Sequence, residues 1–317
     1  MQKIITSHYF HSHDTGEGHP ECPKRYEQIN TFLENENVKK RFEILDAQKG
    51  TEEQILLVHD SDYLSLVKEK IPQKGFANLD EDTVIGPKSW DAIMHGVGGV
   101  CQAVDLVMSQ QQPQHVFVTA RPPGHHAFTN KSMGFCVFSN IAIASAYAVK
   151  KYNLRKAVII DIDVHHGNGT QDCVSKKLPD VALASLQEEK IWPYNDADQI
   201  TNEQILNIGL ETNCPAEKWI EKFQSKVIPF IRKHEPELIL VSAGFDAHKY
   251  DPPEDILFND APGRQNLLDE DYKKIAQMIN SLSHEHSNGR VVSVLEGGYN
   301  VENLPKALNA YLSGFET

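Results

Sequence analysis

Cysteine is sparse. Cys22, Cys101, Cys136, Cys173 and Cys214 are scattered along the chain, and no two form a CxxC pair. An odd, widely spaced set speaks against a disulfide framework and against a zinc–thiolate site. Positive charge is also short: 31 Lys and Arg stand against 44 Asp and Glu, a formal net charge of -13. Nucleic-acid binders neutralise phosphates with Lys and Arg, so no direct nucleic-acid binding is expected. No stretch approaches the roughly 18 apolar residues of a membrane-crossing helix, and the opening MQKIITSHYFHSHD has no apolar run of signal-peptide length. The expectation is therefore no membrane association and a reduced, cytoplasmic compartment; a protein secreted through an unconventional export signal reads the same way. Repeats, low-complexity tracts and Pro/Ser-rich linkers are absent too. Nothing marks a domain boundary, and residues 1–317 read as one domain.

What is present is an alternation of strand-like and helix-like segments, in a chain that is 40% hydrophobic and 24% charged and so has material for a sizeable core. Short apolar, largely β-branched runs occur at HVFVTA (115–120), KAVIID (156–161), VALASL (181–186), ELILVSAG (237–244) and RVVSVLEGG (290–298). Amphipathic stretches lie around them at 87–110, 137–151, 215–234, 269–286 and 301–312. Continuous apolar strands separated by helices predict an α/β fold, a parallel sheet covered on both faces. Four of the strands run directly into reactive residues: RPPGHH after the first, DVHHG after the second, FDAH after the fourth and EGGY after the fifth. Ligands of open parallel sheets bind at that carboxyl edge.

The stretch AVIIDIDVHHGNGTQ (157–171) sets Asp161, Asp163 and His165 at alternate positions, which on a strand places them on one side. Two carboxylates in a core need compensation, either from a buried salt-bridge cluster or from a metal. Asp163, His165 and Asp246 together offer two carboxylates and an imidazole. Three protein ligands with an open position are the pattern of a catalytic Zn²⁺ site, with Fe²⁺ as a substitute. His125 and His126 follow a stiff Pro-Pro-Gly turn and suit a division of labour, one taking a proton and the other supporting positive charge. Tyr299 offers a hydroxyl to an oxygen that gains negative charge.

RPPGHHA…GFCVFSN, DIDVHHGNGTQ, SAGFDAH and LEGGYN, with HDTGEGHPECPKR and LDEDTVIGPKSWDAIMHGVGG upstream, resemble the zinc-dependent histone deacetylase superfamily, class II branch, over nearly the whole chain. The family includes histone deacetylases, acetylpolyamine amidohydrolases and acetoin-utilisation-type proteins. The resemblance implies the arginase/deacetylase fold, with about eight parallel strands. It implies Zn²⁺ on Asp163, His165 and Asp246, with His126 as general base and acid and Asn168 as its partner. His125 is implied as the electrostatic histidine, backed by Asp161, and Tyr299 as the oxyanion residue. A structural K⁺ would be held by Asp161, Asp163, His165, Ser185 and Leu186. Gly134, Phe135 and Trp192 would wall an acyl-lysine tunnel, with Pro253 and Gly298 also facing substrate.

Three departures bear on substrate and ions. Gln187 stands where the family often has His, and Pro253 where many members have Leu or Met, with Glu254 one place beyond the acidic position of polyamine-selective members. Val174-Ser175 replaces an aromatic pair, so a second monovalent-cation site is not implied. The expected activity is removal of acetyl or another short acyl group from a lysine-like amine on a peptide or protein, or alternatively from a polyamine or other small acylated amine. Two rivals are an arginase-like ureohydrolase, whose second metal site looks short of ligands here, and a catalytically silent acyl-lysine binding module. A homo-oligomer is compatible with the sequence, but no interface can be read from it.

Overall fold

The computed structural model describes residues 2–109, 114–194, 199–252 and 263–316. Among these residues ten strands occur in chain order: β1 (Gln2–Thr6), β2 (Phe42–Asp46), β3 (Ala77–Asn78), β4 (Val84–Ile85), β5 (Gln114–Val118), β6 (Ala157–Asp161), β7 (Val181–Glu188), β8 (Ile205–Leu210), β9 (Leu238–Ala243) and β10 (Arg290–Leu295). β3 and β4 form a small antiparallel pair, and the other eight build one sheet in the order β2-β1-β5-β10-β9-β6-β7-β8. Every pairing within that sheet is parallel. This is the arginase/deacetylase fold.

Alternation along the strands feeds two cores. On β6, Ala157 and Ile159 enter one apolar cluster while Val158 and Ile160 enter the other. The first cluster is covered by helices Ser89–Ser109 and Asn140–Tyr152, the second by Asp269–His286 and Leu304–Ser313. Ser89–Ser109 is apolar and long enough to cross a membrane by length and composition alone, but 72% of its most apolar window is buried inside the protein, as in a core helix. The expected helix over 215–234 is broken in register. Ala216–Lys222 and Ile228–His234 are joined by a π turn, Phe223–Val227. Pro229 has no N–H for an i−4 carbonyl, which removes one bond of the regular ladder just there.

The sheet order decides where the chemistry falls. β5, β10, β9 and β6 are the four central neighbours. The segments 121–126, 296–299, 244–251 and 162–168 therefore leave the same edge side by side.

Candidate active site

Asp163, His165 and Asp246 converge beyond β6 and β9, with their ligating atoms all within 4.8 Å of one another. His165 Nδ1 lies 3.1 Å from Asp163 Oδ1 and 3.2 Å from Asp246 Oδ2. Backbone amides fix both acids: Gly297 N–H donates to Asp163 Oδ2 (2.9 Å) and Val164 N–H to Asp246 Oδ1 (3.0 Å). Gly297 has to be glycine, since a Cβ there would stand 2.1 Å from Asp246 Oδ2. Among the described residues, the only ion-pair partners of these acids are histidines. Burial alone would lower the His165 pKa, yet Asp163 and Asp246 raise it to about 10. The cluster therefore draws positive charge. An O,N,O donor set with surplus negative charge fits a divalent cation.

The two histidines beside it are tuned in opposite directions, with ring centroids 3.9 Å apart. His125 Nδ1 pairs with Asp161 Oδ2 (3.1 Å) and its Nε2 faces Asp163 Oδ2 (3.7 Å). Burial works against its charge, but the two aspartates hold its pKa well above the ordinary value. His126 is buried as well, and burial together with positive His125 and His165 holds it well below. Asn168 Oδ1 already accepts the Gly169 N–H (3.0 Å) and also accepts from His126 Nδ1 (2.8 Å). That bond puts the His126 proton on Nδ1 and leaves Nε2 basic. An imidazolium thus stands next to a neutral imidazole.

Apolar walls enclose this pair. Trp192 packs edge-on against His126, with centroids 4.7 Å apart, and Phe135 edge-on against Tyr299 at 5.8 Å. Gly134 and Phe135 both take positive φ (57° and 69°), and a Cβ on Gly134 would strike Trp192 at 2.4 Å. The turn is tied down from outside: Gly134 N–H donates to Asp82 Oδ1 and Phe135 N–H to Thr83 Oγ1, both at 3.1 Å. Tyr299 is buried, and burial pushes its phenol well above its usual pKa, which keeps it a donor. Asp161 and Ser185 are register partners on β6 and β7, both fully buried next to Leu186; Ser185 Oγ donates to Gln187 Oε1 (2.8 Å). His248, which the ureohydrolase rival would need as an Asp, turns away to Asn303 and Asp269. Pro253 and Glu254 lie outside the described residues.

Sequence reasoning passed over the groups that hold these loops. Glu296 Oε2 accepts the N–H groups of Gly124 (2.7 Å) and His125 (3.1 Å), clamping the histidine loop from β10. Arg25 donates through Nε to Gly298 O (2.7 Å), and its guanidinium carbon lies 5.0 Å from the centre of the Tyr299 ring. Asp251 holds the amides of Tyr299 and Asn300. The available signal was the i,i+4 spacing of Glu21 and Arg25 in HPECPKR, a pair that is wholly buried.

Comparison with known proteins gives the family. A model described as the histone deacetylase domain matches residues 19–315. The histone deacetylase-like amidohydrolase of Pseudomonas aeruginosa is 30% identical over 91% of this chain and 74% of that protein. The polyamine deacetylase HDAC10 of Homo sapiens is 30% identical over 91% of this chain and 44% of its own length. Among solved structures, an HDA15 HD domain superposes with a TM-score of 0.88 at 25% identity, covering 99% of this chain and 89% of that one. Fold and site define an enzyme of the arginase/deacetylase architecture. The chain belongs to the histone deacetylase family and acts as a deacetylase.

Proposed function

We propose that this enzyme hydrolyses the amide joining an acetyl, or another short acyl, group to a lysine-like amine, with Zn²⁺ held by Asp163, His165 and Asp246. Fe²⁺ suits the same donors. The observation that carries this reading is a buried pair of carboxylates whose ion-pair partners among the described residues are all histidines, next to one neutral and one charged histidine. When bound, the ion supplies Lewis acidity toward a carbonyl oxygen and toward water. Every other step belongs to the chain. His126 Nε2 takes the proton of the attacking water and later returns it to the departing amine nitrogen. His125, as imidazolium, lowers the energy of negative charge developing nearby. The Tyr299 hydroxyl donates to the amide oxygen as it becomes an oxyanion. Trp192, Phe135 and Gly134 pack around the acyl-bearing chain and exclude water. A K⁺ on Asp161, Asp163, His165, Ser185 and Leu186 is part of the same proposal, supported by the register pairing of Asp161 with Ser185.

The likeness to a relative named polyamine deacetylase supports a second reading, acetylated polyamines on the same site. The test is a side-by-side assay of acetyl-lysine peptides, acetylated polyamines and longer acyl-lysines with zinc-loaded protein of measured metal content. About one equivalent of zinc with amide hydrolysis is the expected result, and the preferred amine decides between the two readings. About two equivalents of tightly bound Mn²⁺ without amide hydrolysis would overturn both. Tight peptide binding without product release would do the same.

A further inference from the structure

The Gly298–Tyr299 peptide plane is gripped at both ends. Its carbonyl accepts from Arg25 Nε (2.7 Å), and its N–H donates to Asp251 Oδ2 (2.7 Å), which also accepts the Asn300 N–H (2.6 Å). Asp251 is 6% exposed, and among the described residues its Oδ1 is buried without any hydrogen-bond partner. Among the described residues no Lys or Arg forms an ion pair with this carboxylate, and burying it with one unused oxygen is costly, so stability gives no evident reason to retain it. The plane it holds follows Gly298, whose φ of 118° is a conformation that favours glycine.

We propose that Asp251 is a positioning residue for the reaction: its carboxylate locks the Gly298–Tyr299 peptide plane and thereby fixes where the Tyr299 hydroxyl stands. Other bonds join the same two loops, such as Asn300 Nδ2 donating to Tyr250 O (2.7 Å), but Asp251 is the group that holds the amide of Tyr299 itself. The phenol lies at the end of a long lever from that amide, so a small rotation of the plane becomes a large displacement of the hydroxyl. A misplacement of about 1 Å in a catalytic group costs on the order of 10²-fold in rate.

The inference rests on the deacetylase mechanism above, and the experiment separates the two. In zinc-loaded protein, Asp251→Ala is expected to lower kcat about 100-fold with KM and zinc content unchanged. Asp251→Asn, which keeps an oxygen acceptor in place, is expected to restore most of that loss. In a Tyr299→Phe background, Asp251→Ala is expected to cost nothing further. Equal losses in both backgrounds, or a loss that tracks zinc content or KM, would overturn the proposal. Amide exchange at Tyr299 and Asn300 gives a readout independent of activity: faster in Asp251→Ala, protected again in Asp251→Asn. Absence of any hydrolysis by the wild-type enzyme sinks the mechanism alone, whereas unchanged exchange in the Ala variant sinks the role of Asp251. Should Asp251→Ala fail to fold, Asp251→Ser, too short to reach either amide, takes its place.

Discussion

Two buried polar centres lie at the same end of the sheet, and they balance charge differently. In the first, Glu21 takes Arg121 through its Nε and terminal nitrogen (the latter 2.9 Å) and Arg25 at 3.1 Å, all three side chains being fully buried. Four further guanidinium N–H groups end on carbonyls of Phe10, His13, Glu296 and Gly298. Burial would raise the Glu21 pKa, but Arg121 and His13 hold it well below the carboxylate range. In the second centre, the ion-pair partners of Asp161, Asp163 and Asp246 among the described residues are all imidazoles. With His125 as imidazolium and His165 giving up its proton to ligate a cation, two negative charges remain over. The first centre, one carboxylate against two guanidiniums, has one positive charge over, and the chain itself spreads it over backbone carbonyls. The second, with two negative charges over and no cationic side chain other than histidine paired to it among the described residues, is built for something brought from outside.

The largest test removes what the second centre lacks. Chelation of the metal, or Asp246→Asn, is expected to abolish hydrolysis. The same substitution is expected to raise the melting temperature of the metal-free protein above that of metal-free wild type, because it relieves surplus negative charge. A metal-free variant that melts lower would erase the distinction between the centres. Glu21→Gln is expected to act in the opposite sense. Leaving Arg25 and Arg121 buried and unpaired is expected to cost about 3–5 kcal/mol in denaturant unfolding. A loss below about 1 kcal/mol would put Glu21 with ordinary surface pairs.

How far the sequence reveals this follows from what each element faces. The five runs legible as strands are β5, β6, β7, β9 and β10, contiguous in the middle of the sheet and apolar on both faces. The three strands of this sheet that the reading missed lie outside them: β1 and β2 on one side, β8 on the other. QKIIT and FEILD mix polar with apolar residues because part of each is uncovered, and ILNIGL is likewise only partly buried. The candidate metal-binding constellation was legible because strand ends put its residues in one place, although β6 stops at Asp161 and Asp163 and His165 lie in the loop beyond it rather than on an alternating strand. Asp251, Arg25 and Glu296 were not, because what they hold is backbone. An amide or carbonyl leaves no mark in the sequence, and only the fold shows which carboxylate it meets.

The next test stays within the second centre. Tyr299→Phe is expected to lower kcat about 10²–10³-fold, the usual cost of one oxyanion donor, with zinc content and substrate binding retained. Near-wild-type turnover would remove the hydroxyl from the reaction and leave the charge surplus as the main catalytic feature. Steady-state kinetics with metal analysis on the same sample decide it.

The smallest expected effect comes from adding one more negative charge where the chain has kept a neutral group. Asn168 Oδ1 lies 2.8 Å from His126 Nδ1, and the His126 pKa is held low by burial, His125 and His165. In Asn168→Asp the new carboxylate favours the imidazolium and raises that pKa, by about one unit or more for an opposite charge in contact. His126 accepts a proton only when neutral, so the acid limb of kcat/KM is expected to move to higher pH by the same amount. Activity lost at low pH would be recovered on the alkaline side of the shifted limb. A pH–rate profile from the two proteins side by side measures this. An unmoved limb would mean that His126 does not set it, and that the neutral histidine beside the charged one has no part in taking the proton.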